Sequence, residues 1–277
     1  VPKVVIRTSE TSLANAMDGI DWSSASVTAD GSRIAYVVRE DRGSRVVVDD
    51  KPGEFFDQIE PGYPILSTDG ERIAYAAMRD QQWFVVTDGE ISGPYDSVQL
   101  GHPVMTADGS NVICIVCKEG SQFLLVNGTE VGGYEEILNG SPILSPSGKH
   151  YAYATRNQGP WTVYVDGEEV ASLDEVVIED MAFSADGTQF ACIGKRGDSA
   201  VVYLDNQQLA SHENARRPLF LPGEGGLCYQ AQDAKKWSIV VGSERSARFD
   251  DVGDFVADPV KSSVAFWAKE GQTWRVV

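Results

Sequence analysis

Seven positions in this chain carry side chains capable of chemistry and recur at nearly constant spacing. Ser24, Tyr63, His102, Ser141 and Asp180 follow one another in steps of 39 residues, and Arg217 and Asp254 continue in steps of 37. Trp22 and Arg216 stand beside them in the sequence. Such a set suits two kinds of work. Asp180 and Asp254 could act as acid and base in a glycan-active hydrolase or lyase, chemistry that needs two carboxylates held across a scissile bond. Trp22, Tyr63, His102, Asp180, Arg216, Arg217 and Asp254 could instead anchor a protein or peptide, because aromatic and guanidinium groups combine apolar area with directed hydrogen bonds.

The sequence supports the second kind. No G-x-S-x-G elbow is present, and no Ser or Cys stands in a motif that implies an activating His. A zinc site needs three or four converging ligands. His102 has no second histidine in register, since His150 falls on a predicted B strand and His212 on a D strand. No D-x-[DN]-x-[DN]-G calcium loop occurs. The expectation is therefore a noncatalytic binding module with no catalytic residue, no bound metal and no cofactor. Its alternative is the hydrolase or lyase using Asp180 and Asp254.

The elements that position these residues come from a repeat. The stretch Leu66-Ser67-Thr68-Asp69-Gly70-Glu71-Arg72-Ile73-Ala74-Tyr75 sets two apolar runs around an Asp-Gly pair, the signature of strand, tight turn and strand. Three markers keep a step of 39 residues through the first five units, and the first and third continue at 37 at the C-terminal end. The first runs Tyr36, Tyr75, Cys114, Tyr153, Cys192, Tyr229 and Phe266, and the second runs Asp49, Asp88, Asn127, Asp166 and Asp205. The third runs Asp18, Asp57, Asp96, Glu135, Asp174, Glu213 and Asp250. In one unit, strand A is Ile65 to Ser67, B is Arg72 to Met78, C is Trp83 to Thr87, and D is about Pro94 to Val98. Four antiparallel strands at a period near 40 predict a propeller blade.

Counting units gives an all-β, seven-bladed β-propeller of four-stranded antiparallel blades, a single domain over 1–277 with repeats of about 39 residues over 22–277. Residues 1–21 are expected to close the ring. Met17-Asp18-Gly19-Ile20 aligns with the D-strand phrase Phe56-Asp57-Gln58-Ile59, so the N-terminal strand would join the C-terminal blade and leave no unpaired edge there. Val4 to Thr8 resembles a further strand. In this topology the A–B and C–D turns share one face, while the D–A and B–C loops share the other. The seven spaced positions, just before strand A, would then ring the channel mouth. Arg39, Arg79, Lys118, Arg156, Lys195, Arg196 and Lys269 would form a basic collar outside them.

The net charge is −18, from 41 acidic and 23 basic residues, which repels nucleic-acid phosphates and anionic membranes. No apolar run approaches the roughly 20 residues a bilayer requires, so no membrane insertion is expected. Cys114, Cys117, Cys192 and Cys228 fall on predicted strands without the geometry for a metal pair or a redox motif and are expected to be unpaired thiols. The recurrent Asp-Gly pairs are chosen for turn geometry. Trp83, Trp161, Trp237 and Trp274, all at the start of strand C, are expected to pack between blades.

The phrase S-x-D-G-x-x-I-A-Y, followed by W-x-V-V-x-D-G, resembles the bacterial TolB-type propeller repeat and lacks the signatures of the eukaryotic WD-type repeat. The resemblance covers Trp22 to Val277. It implies a protein-binding or substrate-gating platform of the periplasm or cell envelope, with the cytoplasm as the alternative. Val1 in place of methionine leaves room for a removed export segment. The expected partner is a protein or peptide bound by a monomer.

Overall fold

The structure, a computed structural model, describes residues 18–60, 64–99, 103–223, 226–258 and 263–277. The described residues contain strands and no helix, arranged as seven antiparallel sheets in chain order. Contacts divide the chain into two compact units. One holds the residues up to Glu119 with Leu124–Val131, and the other holds Gly120–Phe123 with Gly132–Val277.

The second sheet shows the blade plan. Strand A comes in two pieces, Gln58–Ile59 and Ile65–Leu66, both paired with strand B, Ile73–Arg79. Strand B pairs with strand C, Gln82–Thr87, and C pairs with strand D, Glu90–Tyr95. In the fifth sheet strand A is continuous, Glu175–Phe183, followed by Phe190–Arg196, Ser199–Leu204 and Gln207–His212. The sixth has Asn214–Phe220, Leu227–Asp233, Lys236–Val241 and Glu244–Arg245, and the seventh has Asp251–Ala257, Val264–Glu270 and Thr273–Val276.

The B strands read as apolar runs because both their faces are covered. Val112 to Val116 is buried throughout, as expected of strands packed on two sides. In the first unit Val37, Val46, Phe56, Ile59, Tyr75 and Val86 form one cluster, with Phe56 edge-on to Tyr75. In the second unit Trp161, Leu173, Val176, Met181, Phe190, Cys192 and Tyr203 form another.

The recurrent Asp-Gly turn and the second and third markers each have a local physical cause. In the A–B turn, Asp69 Oδ1 accepts bonds from Ser67 Oγ (2.5 Å) and the Glu71 N–H (3.0 Å), while Ser67 Oγ accepts the Arg72 N–H (2.9 Å). The same donors pull the turn carboxyls down. Asp30 falls to about 2, chiefly through the Ser32 N–H, and Asp186 to about 2, chiefly through the Ser184 hydroxyl. The second marker caps strand B from the C–D turn, 15 residues later. Asp49, Asp88, Asn127, Asp166 and Asp205 accept the N–H groups of Ile34, Ile73, Val112, Tyr151 and Phe190 at 2.8–3.0 Å.

The third marker holds the other end. Asp57, Asp96, Glu135, Asp174, Glu213 and Asp250 accept the B–C turn N–H groups of Asp80, Glu119, Gln158, Gly197, Lys235 and Gly271 at 2.7–3.0 Å. Each bond reaches 21–23 residues forward, into the sheet that follows.

That forward reach corrects the assignment of strand D. It ends at Tyr95, earlier than expected, while Ser97–Val98 pair with Cys117 and Val116 as the opening of the next sheet. Likewise Ile20 and Asp21, expected to close the last blade, pair with Val38 and Val37 of the first sheet. Alternation alone is compatible with either neighbour; the side chain that caps the following B–C turn decides. The rest of the expected closing strand, residues 1–17, lies outside the described residues.

The four cysteines are free thiols, with Cys114, Cys192 and Cys228 buried and Cys117 partly buried. Burial pushes the Cys114, Cys192 and Cys228 thiols up to about 12, so they are unreactive near neutral pH.

Candidate partner-binding site

The described members of the spaced set, Ser24, Ser141, Asp180, Arg217 and Asp254, occupy one structural position, but not the one expected. They fall where strand A loses register with strand B for a few residues, rather than in a loop before it. In the first sheet the break lies between Asp21 and Ser26, in the fifth between Val176 and Met181, in the sixth between Arg216 and Leu219, and in the seventh between Val252 and Phe255. In the fourth sheet strand A is split between Ile137 and Ile143. A bulge re-aims side chains that a regular ladder would alternate, so each of these interruptions frees one short segment.

Two of these positions are used internally. Ser24 Oγ accepts the Val37 N–H (2.7 Å) and Ser141 Oγ accepts the Ala154 N–H (3.4 Å), supplying partners that the broken ladder removes from strand B. Trp22 projects from the first sheet at 69% exposure. Tyr63 and His102 lie outside the described residues.

Within the second unit, Asp180, Arg216, Arg217 and Asp254 are brought together. The Arg217 N–H donates to Asp180 Oδ1 (2.7 Å), and its guanidinium pairs with the Asp254 carboxylate. Arg217 has φ 58°, and every other non-glycine residue with positive φ among those described lies in a hairpin turn. It also precedes Pro218, a context that favours extended backbone. Holding a residue there takes about 1–3 kcal/mol, supplied by its surroundings.

Those surroundings centre on Gln230, a residue outside the spaced set. Its side chain is fully buried on strand B of the sixth sheet. Oε1 accepts from Arg216 Nε (2.7 Å), and Nε2 donates to the Gly253 carbonyl (2.8 Å). Arg216 also reaches the Val252 carbonyl (3.2 Å) and lies 4.5 Å over the Trp237 ring. The amide therefore ties the sixth-sheet bulge to the seventh, one residue from Arg217 and from Asp254 respectively. A signal for it does exist: its repeat equivalents are Val37, Ala76, Ile115, Ala154, Ile193 and Trp267, all apolar.

Burial pushes the Asp180 carboxyl above the ordinary carboxylate range, with the neighbouring Glu179 charge adding to the rise, while the Arg217 N–H and the Arg216 and Arg217 charges oppose it. The folded state thus holds this proton more tightly than the unfolded chain, and ionising Asp180 as pH rises lowers stability. Asp180→Asn keeps an oxygen for the Arg217 N–H. It should melt at or above the wild-type temperature at pH 8, and the difference should shrink as the pH falls toward 4.5. Melting curves of both proteins across that range check this; a difference that widens on acidification contradicts it.

The cations of the expected basic collar each have a local partner. Arg39 pairs with Asp21 (2.7 Å), Arg79 with Glu54 (3.0 Å), Lys118 with Glu130 (3.0 Å), and Arg156 with Glu136. Lys195 donates to the Glu213 carbonyl, Arg196 to the Ser172 carbonyl, and Lys269 lies over Trp274. The tryptophans follow suit: Trp161 and Trp237 are buried beneath Arg156 and Arg216, whereas Trp274 stays 44% exposed. Among the described residues no cluster of three His, Cys, Asp or Glu side chains could hold a metal ion. Among the described residues no helix is long and apolar enough to cross a membrane.

Neither a protein-family profile nor a curated protein sequence matches the chain. Among solved structures it is similar to TolB from Acinetobacter baumannii, at 16% identity over 81% of this chain and 67% of that one, with a TM-score of 0.32. It is similar to the β-propeller domain of the Trilobed protease from Pyrococcus furiosus at 12% identity, covering 91% and 93% of the two chains, with a TM-score of 0.38. It is also similar to the periplasmic gluconolactonase of Pseudomonas aeruginosa, at 15% identity over 92% and 88%, with a TM-score of 0.33. Two of these three are named for an enzymatic activity and one is not, and none transfers an activity to this chain.

Proposed function

We propose that this protein is a noncatalytic recognition module that binds a protein or peptide through the strand-A bulges, with Arg217 as the principal anchor and Asp180 and Asp254 as its flanking acceptors. The observation that carries the reading is Arg217 itself, an exposed arginine held in left-handed backbone by a partly buried carboxylate below and a buried amide network beside it. Strain of this kind persists where the surrounding structure imposes it and is concentrated at functional positions. The outward ion pair with Asp254 is exposed on both sides, 52% and 76%, and such surface pairs are worth little. A partner carboxylate can therefore replace Asp254 at small cost. Val256, 67% exposed in the same strand, adds apolar area.

Trp22, Tyr63 and His102 enter the proposal only by their matching place in the repeat, and the periplasmic or envelope setting only by the resemblance of the repeat phrase. The hydrolytic reading has one feature in its favour, the raised Asp180 carboxyl, but Asp180 and Asp254 are both engaged by Arg217. A pair that works on a glycan needs both carboxylates turned to the substrate.

Affinity capture with wild type and Arg217→Glu, quantified by mass spectrometry, tests the reading. A specific partner should be depleted at least tenfold by the variant and retained by Lys149→Glu, a control charge reversal on an exposed A–B turn. Equal recovery with both variants contradicts it.

A further inference from the structure

A second site lies in the same unit, and its chemistry is defined by the chain's own repeats. A groove of about 490 Å³ opens between the fourth and fifth sheets, with a floor of Val165, Val170, Phe183 and Phe190 and a rim that includes His150, Asp166, Glu168, Glu169 and Asp205. The first and second sheets contain the equivalent groove, exactly three repeats earlier in sequence, at about 300 Å³. His150 corresponds there to Arg33, Glu168 to Lys51, Phe190 to Ile73 and Asp205 to Asp88, each offset by 117 residues.

In that earlier groove the chain supplies its own guanidinium. Arg33 Nε donates to Asp49 Oδ2 (2.7 Å), and its Nη1 donates to the Gly70 carbonyl of the next sheet. Arg72 repeats the arrangement with Asp88 (2.5 Å) and the Gly109 carbonyl (2.8 Å). The same acceptors line the larger groove as Asp166 and Gly187, but the residue that would bridge them is His150. Its ring contacts Asp166 (2.6 Å), and among the described residues no group donates to the Gly187 carbonyl. Gln189, in the place of Arg72, makes no bond to Asp205, which accepts the Phe190 N–H through Oδ1 alone. Lys51 has become Glu168, Pro52 has become Glu169 and Glu71 has become Thr188, so three cations (Arg33, Arg72 and Lys51) are replaced and the carboxylates rise by a net one.

We infer that this groove binds an arginine side chain presented by a partner peptide. The guanidinium takes the place that Arg33 fills in the earlier groove, between the Asp166 carboxylate and the Gly187 carbonyl, and Asp205, which has no arginine of its own here, lines the same groove. Its methylenes lie on the apolar floor, and Glu168 and Glu169 face the positive charge. The planar fork of arginine fits paired oxygen acceptors in a way that the ammonium of lysine does not. This site is independent of the Arg217 reading and stands or falls separately.

The test is a titration of the whole protein with N-acetyl-arginine methylamide followed by heteronuclear NMR, with the N-acetyl-citrulline counterpart as the isosteric neutral control. Shifts should centre on Gly187, Thr188 and Asp205, and citrulline should bind at least tenfold more weakly. His150→Arg restores the internal staple and should abolish binding while raising the melting temperature. Asp205→Asn removes the charge but keeps the strand cap, as Asn127 does in the third sheet, and should weaken binding at least fivefold. Absence of binding to the wild type, equal binding of citrulline, or unchanged affinity in Asp205→Asn each overturns the assignment.

Discussion

Gln230→Met, nearly isosteric, should lower the stability of this protein by about 2–4 kcal/mol and abolish partner binding with it. The buried amide makes two bonds, one to a guanidinium and one to a carbonyl. Removing it leaves the Arg216 Nε–H and the Gly253 carbonyl, both partly buried, without those partners; a hydrogen bond to a charged group is worth about 1.5–3 kcal/mol and a neutral one about 0.5–1.5 kcal/mol. Thioether packing returns little, because dispersion contacts with the neighbours exist already. At about 2–4 °C per kcal/mol for a domain of this size, the melting temperature should fall by roughly 5–15 °C. The effect on binding follows from geometry. Arg217 and Asp254 are each one residue from a group that Gln230 holds, so both bulges lose their anchor together. A variant that melts within 2 °C of wild type would show that the amide network is not what fixes the bulges.

The second large effect is steric. Gly194 lies on strand B of the fifth sheet, where the other sheets carry Val38, Ala77, Val116, Thr155, Ala231 and Ala268. A Cβ at Gly194 would stand 2.4 Å from the Glu175 carbonyl oxygen and 2.7 Å from Leu173 Cδ1. The nearest atom is backbone, so it cannot rotate away, and overpacking of this kind costs about 1–3 kcal/mol or more. Gly194 pairs with Val176, the last registered residue before the bulge that carries Asp180. Gly194→Val should therefore cost at least about 3 kcal/mol, measured by urea unfolding, and should displace Asp180 from the Arg217 N–H. A value below about 1 kcal/mol would mean that the fifth sheet yields at this point.

Much of the fold was legible in the sequence, for a reason that can be stated residue by residue. Asp69, Asp88 and Asp57 recur because each caps a backbone N–H that every sheet must satisfy, and a requirement met in every sheet leaves a period. The assignment of strand D failed where that period is silent. Asp57-Gln58-Ile59 has the alternation of a strand but not the identity of its partner, which is settled by a bond from Asp80 to Asp57 across 23 residues. The candidate positions were found as departures from the repeat. Their location inside strand A was not, since a bulge is a failure of register and register is a tertiary property. The local partners of the basic collar were not legible for a related reason: Arg79 and Arg156 look free in sequence, while their acceptors, Glu54 and Glu136, lie 20–25 residues upstream. Gln230 was the reverse case, a single polar residue at an apolar position whose role shows only once Gly253 is seen beside it.

The central claim is that recognition is carried by the strand-A bulge at Arg217. It is tested most directly by placing a photoreactive amino acid at position 217 and, separately, at the exposed A–B turn residue Glu71, and cross-linking in cell extract. The account predicts a discrete cross-linked partner from position 217, competed by excess wild-type protein but not by Arg217→Glu, and none from position 71. Cross-linking of equal yield from both positions, or at position 217 without competition by wild type, would contradict it.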